Sequence, residues 1–442
     1  MKVLLIQPPI RDFYTTPIRL YPLGLLYAAR VFQHEGVEVQ ILDCLSPLKK
    51  KKIPVPDEFA YLSPFLRENP YLFKGFYRFG LPESEIASKI ASFSPDAVGI
   101  SSQFTSYFTD VENVARLVKS CSNVPVFIGG HHATVFASQI KVRTDLIDHV
   151  CVGQAEESVP ALCRKLKGEN HETPLSVDWR RLHPAHELID ASMYQIGKRR
   201  ALSLIAGRGC PMGCEFCSTS VMFGRKTKYR DIDHIIMEMR KSYLERNVRI
   251  FNFEDDNLSF DRTWFFDFLK SVSEDQTLKN IEVTAMNGVC YSTLDGQILE
   301  QMKRVGFRRL NLSLVTKSKN LQQKFGRIGE IAQFEEIIRK ARALDFFITV
   351  YLILGLPEQT RKEIEDTIDY LFKMGVLVGP SVFYLPPGSP LYEKLSVSTP
   401  LLENWDLYRS SAFAVETSHL SRHDLVDLFC EIRRRNLERR TS

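Results

Sequence analysis

The sequence predicts an α/β protein: a doubly wound, Rossmann-like domain, then a partial (β/α)6 barrel of TIM type and a helical C-terminal cap. Three observations carry this expectation. Short apolar runs alternate with helical periodicity through residues 1–165 and again through 200–392, the mark of repeated strand–helix–strand units. Glycines stand where predicted strands end, as at Gly129-Gly130 and Gly153. Between the two stretches, Gly168, Pro174 and Pro184 interrupt a charged segment, so 166–199 reads as a linker.

In order, residues 3–6 read as a buried strand, 23–33 as a helix and 37–42 as a second strand. After a variable stretch at 45–80, strands are expected at 97–101, 124–128 and 149–152, with a helix over 111–120. Parallel sheets of this kind bind ligands beyond the carboxyl ends of their strands. The loops 7–22, 101–108, 129–134 and 153–157 all lie there. The second stretch places strands at 201–206, 249–253, 281–285, 309–314, 347–354 and 378–384. Helices fall between them at 233–245, 263–272, 294–305, 334–343 and 362–374. Six units are too few for a closed eight-stranded barrel and suit an open one. Residues 393–442, with Trp405 and Tyr408, complete the chain as the cap.

Composition narrows the classes. A net charge of +5 over 442 residues gives no argument for a nucleic-acid partner. The one clean basic run, 49–52, reads as a solvated loop. The opening apolar run stops at Pro8-Pro9, too short for a secretory signal. No stretch reaches the roughly 18 apolar residues of a membrane span. Nine cysteines without such a signal fit a reducing compartment, and a cytoplasmic location is expected.

The most specific segment is Gly207-Arg-Gly-Cys210-Pro-Met-Gly-Cys214-Glu-Phe-Cys217. Three cysteines at fixed offsets arise by chance about 0.004 times in such a chain. Glycines 207, 209 and 213 let the backbone curl so that thiolates converge, and thiolates hold iron–sulfur clusters. Zinc or plain packing is the alternative, but structural zinc takes four ligands and His234, the nearest candidate, sits in a predicted helix. The other cysteines (44, 121, 151, 163, 290 and 430) read as core residues.

This loop resembles that of the radical S-adenosylmethionine (SAM) superfamily, CxxxCxΦC with an aromatic Φ. The resemblance implies a [4Fe–4S] cluster on Cys210, Cys214 and Cys217, with the fourth iron chelated by SAM and Phe216 against the adenine. It further implies an electron donor such as flavodoxin or ferredoxin, SAM cleavage and a 5′-deoxyadenosyl radical. The run Glu254-Asp255-Asp256 ends the second barrel strand, where the family binds SAM's ammonium; a helix N-cap at Asp256 or Asn257 is the plainer reading. Asn287 and Ser313 stand at further family positions for SAM. Residues 354–360 resemble the family's GLPGET segment, and 385–392 resemble PxPGTPLY. Val315 departs from the pattern, replacing an acidic residue.

The first domain resembles the cobalamin-binding domain of B12-dependent radical SAM enzymes. Tyr21-Pro-Leu-Gly24 follows the first strand, and Gly129-Gly130-His131-His132-Ala-Thr134 resembles GGPHAT. Residues 152–157, with Gly153, form an altered GEGE. Together with Ser101 and Ser102, these positions are the implied cobalamin contacts. At most one of the two adjacent histidines can face the cobalt; otherwise they pack at the domain seam, and a fold that has lost B12 stays open. The D-x-H-x-x-G axial motif is absent. The resemblance implies methylation of an unactivated carbon of a small-molecule substrate. Radical oxidation or cyclisation, as in the anaerobic Mg-protoporphyrin ester cyclases, and a non-catalytic cobalamin or cluster sensor are the rivals. Substrate choice is expected from an apolar pocket in the aromatic-rich segments 45–80 and 390–442.

Overall fold

The computed structural model describes residues 1–16, 21–169, 177–327, 329–395 and 403–441. Its N-terminal sheet comprises β1 (Lys2–Gln7), β2 (Glu38–Asp43), β3 (Ala97–Ser101), β4 (Val126–Gly129) and β5 (His149–Cys151). All pairs are parallel, in the order β2-β1-β3-β4-β5. Successive side chains of β1 point to opposite faces. Val3 and Leu5 meet helices Leu23–His34 and Ala155–Lys167, while Leu4 and Ile6 meet Glu83–Phe93 and Phe108–Cys121. The order reverses beside β1, opening a crevice at the carboxyl ends of β1 and β3.

The second half holds β6 (Arg199–Leu204), β7 (Val248–Phe253), β8 (Glu282–Thr284), β9 (Arg309–Val315), β10 (Phe347–Leu354) and β11 (Leu377–Val382). β6-β7-β8 and β9-β10-β11 are parallel groups. Single parallel bridges, Val283–Phe307 and Val289–Leu312, join them. The result is the open six-stranded arrangement expected. Along its free edge, helix Arg422–Thr441 covers β11. The Asn436 amide accepts from Val378 N–H at 3.1 Å and donates to Val378 C=O at 2.7 Å, standing in for a seventh strand.

Several expectations are corrected. The basic run is not in a loop: Lys50–Ile53 and Phe76–Phe79 pair antiparallel with each other, and Ile10–Asp12 completes the sheet. The lysine run therefore lies largely on an exposed edge strand, where charge discourages further pairing. Phe59, Phe73 and Phe76 do not line a substrate pocket. They are buried with Phe13 in a core continuous with the barrel's, because a sheet this small needs a second layer to bury its apolar face. Trp405 and Tyr408 do not cap the barrel either. Trp405 packs against Phe108, His132 and Phe136 of the N-terminal half, and Arg409 donates to Arg11 C=O at 2.6 Å. Cys121 is exposed and Cys151 half-buried; the other four expected core cysteines are buried. Of the linker, 170–176 lie outside the described residues, and Gln195–Ile196 pairs with β6.

Candidate active site

The cysteine loop leaves β6 through a two-residue hairpin strand, Gly207–Arg208, paired with Lys228–Tyr229. Asp255, just past β7, accepts N–H bonds from Ala206 at 3.0 Å and Gly207 at 2.5 Å. It anchors the loop through both carboxylate oxygens and, unlike Glu254 and Asp256, is not on the lining of the cavity above the loop. Burial pushes this carboxyl up to about 7 despite those two bonds. Gly209 has φ +86°, and a Cβ there would stand 2.5 Å from Lys226 C=O, so the turn into Cys210 admits only glycine.

Two other segments hold the loop. Glu215 N–H donates to Phe325 C=O at 3.0 Å, and Leu391 N–H donates to Glu215 C=O at 2.9 Å. Phe216 packs on Phe325, ring centroids 6.3 Å apart, within an apolar cluster with Leu356 and Leu391. Cys214 is buried; Cys210 and Cys217 are half-buried. Cys214 Sγ lies 3.7 Å from Gly326 C=O, and the neighbouring Arg327 guanidinium acts electrostatically on Cys214, placing positive charge where an anionic thiolate cluster would sit. Among the described residues no three His, Cys, Asp or Glu side chains converge on one ion. A cube asks less, since each thiolate takes a separate iron. Three thiolates, an adjacent cation and a glycine-shaped turn fit such a group.

Above the loop lies a cavity of about 490 Å³. One wall comes from the carboxyl ends of the N-terminal sheet, the other from those of the barrel. Of the expected residues, Tyr21, Ser101, Gly129, Gly130, His131 and Gly153 line the first wall. Glu254, Asp256 and Asn287 line the second. Asn287 Nδ2 donates to Glu254 C=O at 2.9 Å, and Thr219 Oγ1 donates to Asp256 at 3.2 Å, tying this wall to the cysteine loop. The variable segments contribute unevenly: Tyr408 lines the cavity, and no described residue of 45–80 does.

Four further expected positions are not on the lining. Ser102 is buried, its N–H donating to Gly129 C=O at 2.8 Å. Ser313 is half-buried at a break in the β9–β10 register. Phe216 sits in its apolar cluster, and His132 is fully buried, its Nδ1 3.0 Å from Thr105 Oγ1. Burial, then the neighbouring charges of His131 and Arg143, push His132 down to about 3. Of the two histidines only His131 reaches the cavity, its Nε2 3.3 Å from Ser218 C=O. Val315 is buried beside Phe383 and Leu385, so no charge stands at that position.

Sequence reasoning missed several polar groups here. Arg208, Gln154 and Glu156 line the cavity; Arg208 lies inside the cysteine motif and Glu156 inside the altered GEGE, a signal that went unused. Tyr21 also has an unforeseen partner, its hydroxyl 2.6 Å from His186 Nδ1 of the supposed linker. His186 Nε2 is 2.8 Å from Glu238, which Arg230 meets at 2.6 Å. Burial would raise Glu238, but Arg230 and the His186 hydrogen bond hold it at about 2.

Comparison with known proteins agrees with this layout. Residues 204–371 match the Radical SAM superfamily, and residues 15–163 match the B12 binding domain. The chain carries both a B12-binding domain and a radical SAM domain. Within this radical SAM enzyme the B12-binding domain precedes the cluster domain, as the two sheets do. An uncharacterized methyltransferase of Pyrococcus horikoshii is 26% identical, covering 97% of this chain and 90% of its own length. The anaerobic magnesium-protoporphyrin IX monomethyl ester cyclase of Cereibacter sphaeroides is 22% identical over 78% of this chain and 60% of its own. The structure of TsrM, a radical SAM methyltransferase from Kitasatospora setae with cobalamin and [4Fe–4S] cluster bound, shares the fold. Its TM-score is 0.65 at 16% identity, covering 90% of this chain and 74% of that one.

Proposed function

We propose that this radical SAM enzyme is a cobalamin-dependent methylase acting on an unactivated carbon of a small molecule. One observation carries the reading: a single cavity is lined by the carboxyl ends of both sheets, so groups held by either wall would face each other. The cluster with SAM supplies a carbon radical when bound, and cobalamin supplies a methyl group. Cys210, Cys214 and Cys217 would hold the cluster, and Arg327 offsets their charge. Glu254 and Asp256 suit SAM's ammonium, since carboxylates pair with a cation, and Asn287 orients Glu254 through its backbone. Phe216 and Ser313, off the lining, are second-rank candidates for SAM.

Gly129, Gly130 and Gly153 leave room for a bulky ring at the strand ends, with Ser101, Tyr21 and His131 as polar neighbours. Tyr384, Pro386 and Tyr408 close the remaining side and suit an apolar substrate. The electrons would come from a small flavodoxin- or ferredoxin-like donor, and no helix of the described residues is long and apolar enough to cross a membrane. The nine cysteines, suited to a reducing compartment, support a cytoplasmic location.

The test is anaerobic reconstitution with SAM, hydroxocobalamin and a reductant. Iron near four per chain, bound corrinoid and 5′-deoxyadenosine above background are expected. Cys210→Ala, Cys214→Ala and Cys217→Ala should each lose iron and 5′-deoxyadenosine together. A sensor would leave 5′-deoxyadenosine at background. Radical cyclisation, favoured by likeness to the Cereibacter cyclase, is separated by stoichiometry: a methylase consumes two SAM per product.

A further inference from the structure

Arg208 joins the two walls of the cavity. It lies two residues before Cys210, on the hairpin strand that delivers the cysteine loop. Its guanidinium forks onto Glu156, with Nη2 donating to Oε1 at 2.9 Å and Nη1 to Oε2 at 3.0 Å. Nη1 also donates to Gln154 Oε1 at 2.7 Å. Gln154 caps helix Ala155–Lys167 and Glu156 lies in its first turn; the helix follows β5 and Gly153 on the N-terminal wall. Aromatic rings from three other segments enclose the cation: Trp179 at 4.4 Å, Tyr27 at 4.8 Å and Phe223 at 5.5 Å.

Stability alone does not account for this arrangement. The two side chains are 7% and 4% exposed, and a buried ion pair gives up solvation that an apolar pair of the same shape would not. One donor is also left over. Arg208 Nε is buried and has no partner among the described residues, although an unmet buried donor is costly. Arg208 itself lines the cavity. A group bound there can complete its set.

We propose that Arg208 is a positioning residue shared between corrinoid and cluster. Its free Nε–H donates to an amide carbonyl on the corrin rim, while Glu156 holds the guanidinium that sets the course of the cysteine loop. The inference rests on the reading that cobalamin occupies this cavity. Coupling between two sites is reciprocal. The cluster-loaded protein should therefore bind cobalamin more tightly than the cluster-free protein, and cobalamin should alter the cluster in return.

The experiment titrates full-length protein anaerobically with hydroxocobalamin, followed by visible absorbance, with and without reconstituted cluster. An affinity ratio of about fivefold or more is expected for the wild type, the lower end of measured couplings. Arg208→Lys and Glu156→Gln should incorporate iron and bind cobalamin more weakly but measurably, with the ratio falling to within twofold of one. Electron paramagnetic resonance of the reduced, SAM-bound cluster should shift on adding cobalamin in the wild type and stay fixed in both variants. A wild-type ratio of one overturns the proposal without any variant, so a variant that fails to fold does not protect it. A ratio preserved in both variants overturns it equally. Wild type that binds no cobalamin in either state would bring down the functional reading as well, whereas binding without coupling would remove only this inference.

Discussion

At the scale of single residues, His132 ties stability to pH. Its ring stays neutral in the fold, pushed down to about 3, while an unfolded imidazole titrates near 6.5. Below that pH the unfolded chain takes up a proton that the fold refuses. Stability is therefore complete above about pH 6.5 and declines as pH falls towards 3. The loss at pH 5 is about 2 kcal/mol. Urea denaturation of His132→Phe across pH 5–7 should give a flatter profile than the wild type; an equal slope would remove His132 as the cause. Glu358 offers a different test. It occupies the place of the second glycine in the GLPGET pattern and adopts φ +68°, a left-handed conformation costing an ordinary residue about 1–2 kcal/mol. Its ion pair with Lys324 is exposed and offsets little of that. Glu358→Gly should stabilise the protein by about 0.5 kcal/mol in chemical denaturation, the relieved strain exceeding the extra chain entropy that glycine loses on folding. No gain would mean that the Lys324 contact outweighs the strain. Gln359, its neighbour, shows why the segment keeps its shape: its side chain accepts from Gly355 N–H at 2.9 Å and Leu356 N–H at 2.8 Å.

Among the elements, the strands were the most legible in sequence, because fully buried runs such as Val3 to Ile6 admit few alternatives. Helix Glu83–Phe93 went unread although Ile86, Ile90 and Phe93 stand at helical spacing. Helix Ala155–Lys167 was obscured by Pro160 within it, a residue that ordinarily argues against a helix interior. The C-terminal segment was harder still. Nothing local distinguishes an aromatic that caps one domain from one that fills the core of another, and only the fold brings Trp405 to Phe108 and His132. Trp405→Ala should cost about 3–5 kcal/mol. Amide exchange should then quicken in helix Phe108–Cys121 while β9 stays protected; equal quickening in both would show that the segment serves the whole chain alike.

For the whole molecule, the three cysteines proposed to hold the cluster were legible because they are close in sequence, whereas the cavity was not. Arg208 and Glu156 are 52 positions apart, and neither carries a motif that names the other. Each wall could be read as a set of strand carboxyl ends, but their facing each other is a property of the assembled sheets. Cobalamin bound there should stabilise the chain as a unit. At a hundredfold excess over Kd the gain is about 2.7 kcal/mol, visible as a higher Tm, with amide protection rising on both walls. Protection confined to the N-terminal wall would argue that the barrel takes no part. The return of Trp405 and Arg409 to the first domain has a consequence for biosynthesis. A ribosome releases the N-terminal sheet long before it makes the residues that finish its core. At ordinary elongation rates that interval is roughly tens of seconds. During it Phe108 and Phe136 remain open to water and to chaperones, and the N-terminal wall of the cavity takes its final shape only after Trp405 and Arg409 have emerged.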